Sequence, residues 1–411
     1  MLNPVQRGGA VCAFAVCLLA LPVSAGVFLV TCAGAPVPGP YPTITSALAA
    51  AKALSNSNHN IYVYGNCTEV VRAEQMDFVQ LRGQDGATLT YPAGGQPAYP
   101  VLSLHDVRGF TIAGLTITGR PDLAVDLVRI FHSTHVTLEK VTIRRSGGSG
   151  LFINIGSSVD FRACIIEENA RSGAEVRSNS VAIFGDNIVQ NTPEPTIVRK
   201  NGGNGINATQ AAHITLAGNA YVEDNAGAGV SVVSTTMFTC CEEGQRRITG
   251  NSAGISASGS VVRTWGPLLI ENNRGSGLSF AGVKSQINGD GGEHIIRNNG
   301  SSGIIARGGS AVDVLTTRLE GNRFYGIAVY DNSAASLNRV TVLNNKLHGV
   351  AAYFLGVVAM GAGNSVTGSG NWDLFCTPDS LGRGSKEGIG KIFCPTFSQF
   401  PEPLPGLQTD H

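Results

Sequence analysis

Glu139, Asp160 and Arg162 have the types and spacing of a small acid–base set. Of two carboxyl groups on one surface, one can protonate a leaving oxygen while the other attacks or activates water, and a guanidinium stabilises the charge that develops. These residues meet only if "HVTLE" and "SVDFR" are strands stacked one on the other. The plainer reading is a surface ion pair between Glu139 and Arg162, worth about 0–1 kcal/mol. Tyr330 and Tyr353 form a second set, in "GIAVY" and "GVAAY". Stacked tyrosines can hold the apolar face of a sugar ring, cover a sheet, or meet a partner chain. His132 and His135 in "FHSTHVTL" sit at a turn and invite a general-base role. His213 in "AAHITL" holds a position like that of His135, so the recurrence reads as a turn that tolerates His.

The elements that must position these residues repeat. "NARSG" at Asn169 is followed by "NAGAG" at Asn225, "NSAG" at Asn251 and "NRGSG" at Asn273. "NGSSG" at Asn299, "NRFYG" at Asn322 and "NKLHG" at Asn345 complete the series. Asn191 fits it as well, with "TPEPTIVRKNGGN" inserted before Gly205. Short alternating segments such as "GVSV", "GLSF" and "GIIA" follow each Gly, as expected of half-buried strands. Several short strands in a period near two dozen residues, without a helical pattern, predict parallel β coils stacked at about 4.8 Å. In such a stack the Asn residues form a hydrogen-bonded ladder, and Gly supplies positive φ or close approach at the corner.

Alternation then separates inside from outside. Val159, Phe161, Cys164 and Ile166 point inward; Asp160, Arg162, Glu167 and Glu168 point outward. Two residues before each ladder Asn stand Arg144, Glu167, Val189, Glu223, Thr249, Glu271, Arg297, Glu320 and Leu343. This row alternates in sign and reads as cross-coil ion pairing. Ca2+ would want carboxylates that converge without intervening Arg. Four residues after each corner Gly runs another outward row, Asn154, Arg177, Thr209, Val233, Ser258, Ala281, Arg307, Tyr330 and Tyr353. Its small middle also suits lateral association, and the segment Pro193–Gly203 is a candidate contact loop.

The ends of a solenoid need caps. "TSALAAAKAL" (Thr45–Leu54) reads as a capping helix within an N-terminal cap over 26–60, preceded by a strand "VFLVTC". The β-helix is expected over 61–375, and 376–411 holds the other cap and a Pro-rich tail. Residues 1–25 read as a secretory signal, with Arg7, the apolar run Ala10–Leu21 and "VSA" before the cleavage point; a short membrane anchor is the alternative. No later apolar stretch is long enough to span a bilayer. Export predicts disulfides, for which Cys32–Cys67 and Cys376–Cys394 are the preferred pairs. Cys164, Cys240 and Cys241 are left over, and the last two form a vicinal pair. The chain's 411 residues carry 29 basic and 29 acidic groups. That balance argues against nucleic acid as a partner.

With this coil length and Asn ladder the chain resembles the right-handed parallel β-helix proteins of the pectin-lyase-like superfamily. "NIYVYGNCTEVV" (Asn60–Val71) and "GFTIAGLTITG" (Gly109–Gly119) resemble first coils of that fold. The resemblance implies an all-β solenoid and an extracellular polysaccharide as partner. For Glu139, Asp160 and Arg162 it implies a lyase in which Arg abstracts a proton beside carboxylates that hold Ca2+; hydrolysis is the alternative. The known catalytic patterns are missing. The chain has no Asp-Asp pair, "NTP" at Asn191 lacks the expected Asp, and "LHG" at Leu347 lacks the first Gly. The expectation is therefore a secreted β-helix protein that binds or modifies a polysaccharide, or else a non-catalytic surface, adhesion or structural protein.

Overall fold

The computed structural model describes residues 26–36, 38–54, 58–93, 99–185, 194–240 and 243–399. Short runs of alternating apolar and polar residues form short strands, and each pairs in parallel with the strand one repeat later. Val159, Asp160, Phe161 and Arg162 lie in register with Val136, Thr137, Leu138 and Glu139. A typical coil comprises Ser158–Arg162, then Ile165–Glu167, then the Asn corner, then Ala174–Val176. Strands of the first two kinds join in a 26-stranded sheet, and those of the third kind form a separate 14-stranded sheet. The result is an all-β, right-handed parallel solenoid with one short helix near its N-terminus.

The Asn corner shows why the repeat exists. The Nδ2 of Asn225 donates to the Oδ1 of Asn251 at 2.9 Å and to the carbonyl of Val198 at 3.1 Å. Its own Oδ1 accepts from the backbone N–H and the Nδ2 of Asn201, at 3.1 and 2.9 Å. The same bonds recur through Asn273, Asn299, Asn322 and Asn345. These amides are buried, so water cannot replace the ladder. The corner Gly is needed for close approach. A Cβ on Gly229 would lie 2.6 Å from Ile248 Cγ2 and 2.9 Å from both the Asn251 amide and the Gly254 carbonyl.

Three expectations change at the inserted coil. Asn191 lies outside the described residues, and the ladder position belongs to Asn201, which accepts from the Asn169 N–H and Nδ2 at 3.2 and 2.9 Å. The extra residues therefore precede the strand Thr196–Arg199 and do not follow the Asn. Consequently Arg199, and not Val189, stands between Glu167 and Glu223. Pro193 lies outside the described residues, and the described part of the segment Pro193–Gly203 is that strand and the ladder corner, where a loop was expected.

Inside, aliphatic columns and stacked rings fill the coil; Phe161 and Phe184 lie face to face at 4.5 Å. Val159, Phe161, Cys164 and Ile166 are all buried. Burial and loss of water push the Cys164 thiol up to about 12, which leaves it unreactive. Two large polar side chains are buried close together in the middle of the stack. Arg246 is 1 % exposed and donates to the carbonyls of Pro267 and Cys240 at 2.9 and 2.5 Å. His294, fully buried, bonds Thr264 Oγ1 at 2.7 Å. Cys241 lies outside the described residues.

The N-terminal end is covered by the helix Ile44–Ala53, capped by the Thr43 side chain, which accepts from the Ser46 N–H. Gly26–Thr31 pairs in parallel with His59–Tyr64 ahead of it, and Cys32 is bonded to Cys67. At the other end the coils run on past Phe375. Leu381–Gly384 pairs with Val357–Met360, and Ile392–Phe393 lies on Leu374–Phe375. A Cys376–Cys394 disulfide joins these last layers.

Candidate functional site

Glu139, Asp160 and Arg162 lie on the outward face of adjacent coils. Arg162 is the register partner of Glu139, and Asp160 that of Thr137. Yet the Arg162 guanidinium turns to Asp160 in its own strand, 3.9 Å away, and no ion pair with Glu139 forms. Partial burial holds the Asp160 carboxyl above the usual carboxylate range, against the opposing pull of Arg162 and His135. Such a carboxyl keeps its proton to higher pH than an ordinary exposed one, as a general acid must. Ile183 is the register partner of Asp160 on the next strand, Val181–Phe184, which Gly185 follows, and Glu194, where the described chain resumes, pairs with Lys140 at 3.5 Å. The inserted segment thus begins and ends beside this cluster. His213 takes no part: it packs on Phe238, and burial lowers its affinity for a proton.

Tyr330 and Tyr353 stack on adjacent coils at 5.1 Å, with planes only 9° apart. The stacking has a consequence for their chemistry. Parallel rings one coil apart each turn one face to the other, which withdraws that face from any ligand. The Tyr353 hydroxyl donates to that of Tyr325 at 3.3 Å. Burial first, then the neighbouring phenols, raise the Tyr330 and Tyr353 pKa values, so both stay protonated through the neutral range. Ala328 lies between Tyr325 and Tyr330 in the same strand segment, and its register partner Ala351 is followed one coil later by Phe375. Both alanines are fully buried.

Sequence reasoning missed most of this surface. Tyr325 stacks on His348, and His348 on Phe375, at 5.8 and 4.7 Å. Phe375 continues onto Phe393, which meets Trp372 at 5.4 Å. Phe324 and Phe354 flank the set. Eight of the chain's 27 Phe, Tyr and Trp residues therefore gather at one end of one sheet. Phe354 and Leu355 stand furthest out, 61 % and 55 % exposed, in left-handed backbone conformations (φ 49° and 63°). The equivalent turn one coil earlier uses Asp331 and Asn332, and the turn before that Gly308 and Gly309. Those residue types accept positive φ at little cost, and Phe and Leu do not. The clustering of aromatics after residue 320 was the available signal.

The charged row forms as an ion ladder. Glu167 meets Arg199 at 2.9 Å. Glu271 accepts from Arg297 at 2.8 Å and Arg247 at 3.4 Å. Arg297 also approaches Glu320, which pairs with Arg318 at 2.8 Å. Each carboxylate is matched by Arg, so this row is structural.

Among solved structures, the A-module of a mannuronan C-5 epimerase from Azotobacter vinelandii is similar to this chain, with a TM-score of 0.47 and 18% identity over 82% of this chain and 94% of that one. Tailspike protein 3 of bacteriophage CBA120 aligns with a TM-score of 0.44 and 13% identity, over 89% of this chain and 58% of its own. A periplasmic alginate epimerase aligns with a TM-score of 0.37 and 12% identity, over 92% and 80%. At these identities the likeness is one of fold. No curated protein sequence matches the chain. The family model described as "right handed beta helix region" matches residues 49–221 and 100–260. These matches together span more than half of the sequence, and the chain belongs to the right-handed β-helix family.

Proposed function

We propose that the protein binds an extracellular polysaccharide, with the aromatic end of the 14-stranded sheet as the contact surface. The observation that carries this reading is the pair Phe354 and Leu355, apolar and exposed at strained turn positions beside the Tyr353 stack. Strain kept where Asn or Gly would relieve it supports selection for the side chains themselves. The surface combines what a sugar chain needs. Phe354 and the 36 % exposed Trp372 offer apolar area, and the tyrosine hydroxyls donate and accept. Coils rise by about 4.8 Å, close to the length of one hexose, so successive coils can meet successive sugars. Tyr330 and Tyr353 act in this scheme through their hydroxyls. The two disulfides support an oxidising, extracytoplasmic setting. No helix among the described residues is long and apolar enough to cross a membrane.

The test is affinity electrophoresis and calorimetry against pectate, alginate and neutral polysaccharides. Trp372→Ala and Tyr353→Ala should each weaken binding about tenfold, equivalent to about 1.4 kcal/mol, while Asp160→Ala leaves it unchanged. Retention of full affinity in both aromatic variants would sink the proposal. A second reading, polysaccharide hydrolysis or elimination, is favoured by the raised Asp160 carboxyl beside Arg162. New reducing ends, with or without the ultraviolet absorbance of unsaturated uronates, would reveal turnover by hydrolysis or elimination. Asp160→Ala and Arg162→Ala should then abolish it, and loss of activity on chelation would bring Ca2+ into the site.

A further inference from the structure

We propose that His105, Asp106 and His132 form a binding site for a divalent transition-metal ion, with Zn2+ as the reference. The three residues lie on adjacent coils, where the outer sheet turns. The Asp106 carboxylate is 3.1 Å from His105 Nδ1 through one oxygen and 4.0 Å from His132 Nδ1 through the other. All three ligand atoms fall within 4.8 Å of one another. Ligands at about 2.0–2.1 Å from a tetrahedral ion lie about 3.4 Å apart. Side-chain rotation alone therefore brings the set to bonding distance. The imidazole rings stand nearly perpendicular, at 86°, with centroids 5.7 Å apart, so their Nδ1 atoms converge without the rings colliding.

The backbone fixes this arrangement. His105 is in register with Phe131, and the Asp106 N–H donates to the Phe131 carbonyl at 3.2 Å. The ligand set is thus anchored to paired strands. Each of the three side chains is close to half exposed, which admits the ion and leaves positions for water. The donor set decides the class of ion. Two imidazole nitrogens and one carboxylate suit Zn2+, Ni2+ or Cu2+, and they are a poor set for Ca2+ or Mg2+, which take oxygen ligands. Glu74 is the register partner of His105 on the preceding coil, and it places a further carboxylate on the same outward column.

The site is tested by calorimetric titration of the chelator-treated full chain with Zn2+ at pH 7.5, in the presence of millimolar Ca2+. One equivalent should bind and raise the melting temperature. His105→Ala, His132→Ala and Asp106→Asn should each weaken binding at least about tenfold, equivalent to about 1.4 kcal/mol. His135→Ala, three residues from His132 on the same turn, should not. Affinity should fall as the pH is lowered, because an imidazole nitrogen must be unprotonated to bind a metal ion. Unchanged affinity in His105→Ala and His132→Ala, with circular dichroism showing an intact fold, would overturn the proposal. So would the absence of saturable binding in the parent.

Discussion

Phe354 is held where its coil predecessors keep Asp331 and Gly308. Phe354→Asn should therefore stabilise the protein by about 1 kcal/mol, since Asn tolerates the left-handed conformation. If that residue serves a ligand, the same change should lower polysaccharide affinity. Parallel denaturation and binding measurements on one variant check both signs. His294 gives a second prediction at this scale. Burial, reinforced by the nearby Arg246 charge, lowers its pKa from 6.5 to about 4. The unfolded chain takes up a proton below about pH 6.5 that the folded chain refuses until about pH 4. Stability is thus fully present above pH 6.5 and is lost as pH falls through that window, by about 3 kcal/mol in all. Urea midpoints at pH 7 and pH 4.5 should differ in the parent and converge in His294→Gln. Little of this was legible in the sequence. Nothing near His294 announces that it lies inside, because its burial depends on the long turns around Thr264 and Pro267. His105 and His132 likewise stand one full coil apart, and no local pattern joins them.

Among the elements, the Asn corner was read correctly from its spacing because it is a local motif. The single misplacement, Asn191 for Asn201, came from the inserted segment. The motif "NGGNG" itself holds the proper four-residue spacing from Asn201 to Gly205, and the insertion falls before it. The capping helix and the inward row around Phe161 were legible for the same reason: each follows from a short periodic run. The ladder also yields a prediction. Asn225→Ala would strip the Asn201 N–H and Nδ2 of their acceptor and the Val198 carbonyl of a donor. Each buried unsatisfied group costs about 1–3 kcal/mol, so a total loss of at least about 3 kcal/mol is expected. Asn225→Asp should be no better, because it keeps the acceptor but removes the Nδ2 donor and buries a charge. Guanidinium midpoints would measure both.

For the whole molecule, each coil touches mainly its two neighbours, so stability is a chain of nearest-neighbour terms. The disulfide Cys376–Cys394 closes an 18-residue segment at the terminal layers. A loop of that size is worth about 3 kcal/mol in the entropy model. Replacing both cysteines by Ser should free the amides of 365–393 to exchange rapidly and leave those of 206–281 protected. Hydrogen exchange followed by mass spectrometry would resolve the two regions. Equal loss across the chain would show that the solenoid melts as one unit.

The ion ladder also bears on how such a molecule can grow. Arg144, Glu167, Arg199 and Glu223 succeed one another with alternating sign, and Glu271, Arg297 and Glu320 do the same. Excising the single coil that carries Arg297 would seat Glu320 directly on Glu271, and copying it would set two guanidinium groups face to face. Removing or duplicating two adjacent coils brings no like charges together. Lineages of this protein should therefore differ in length along this stretch by even numbers of coils.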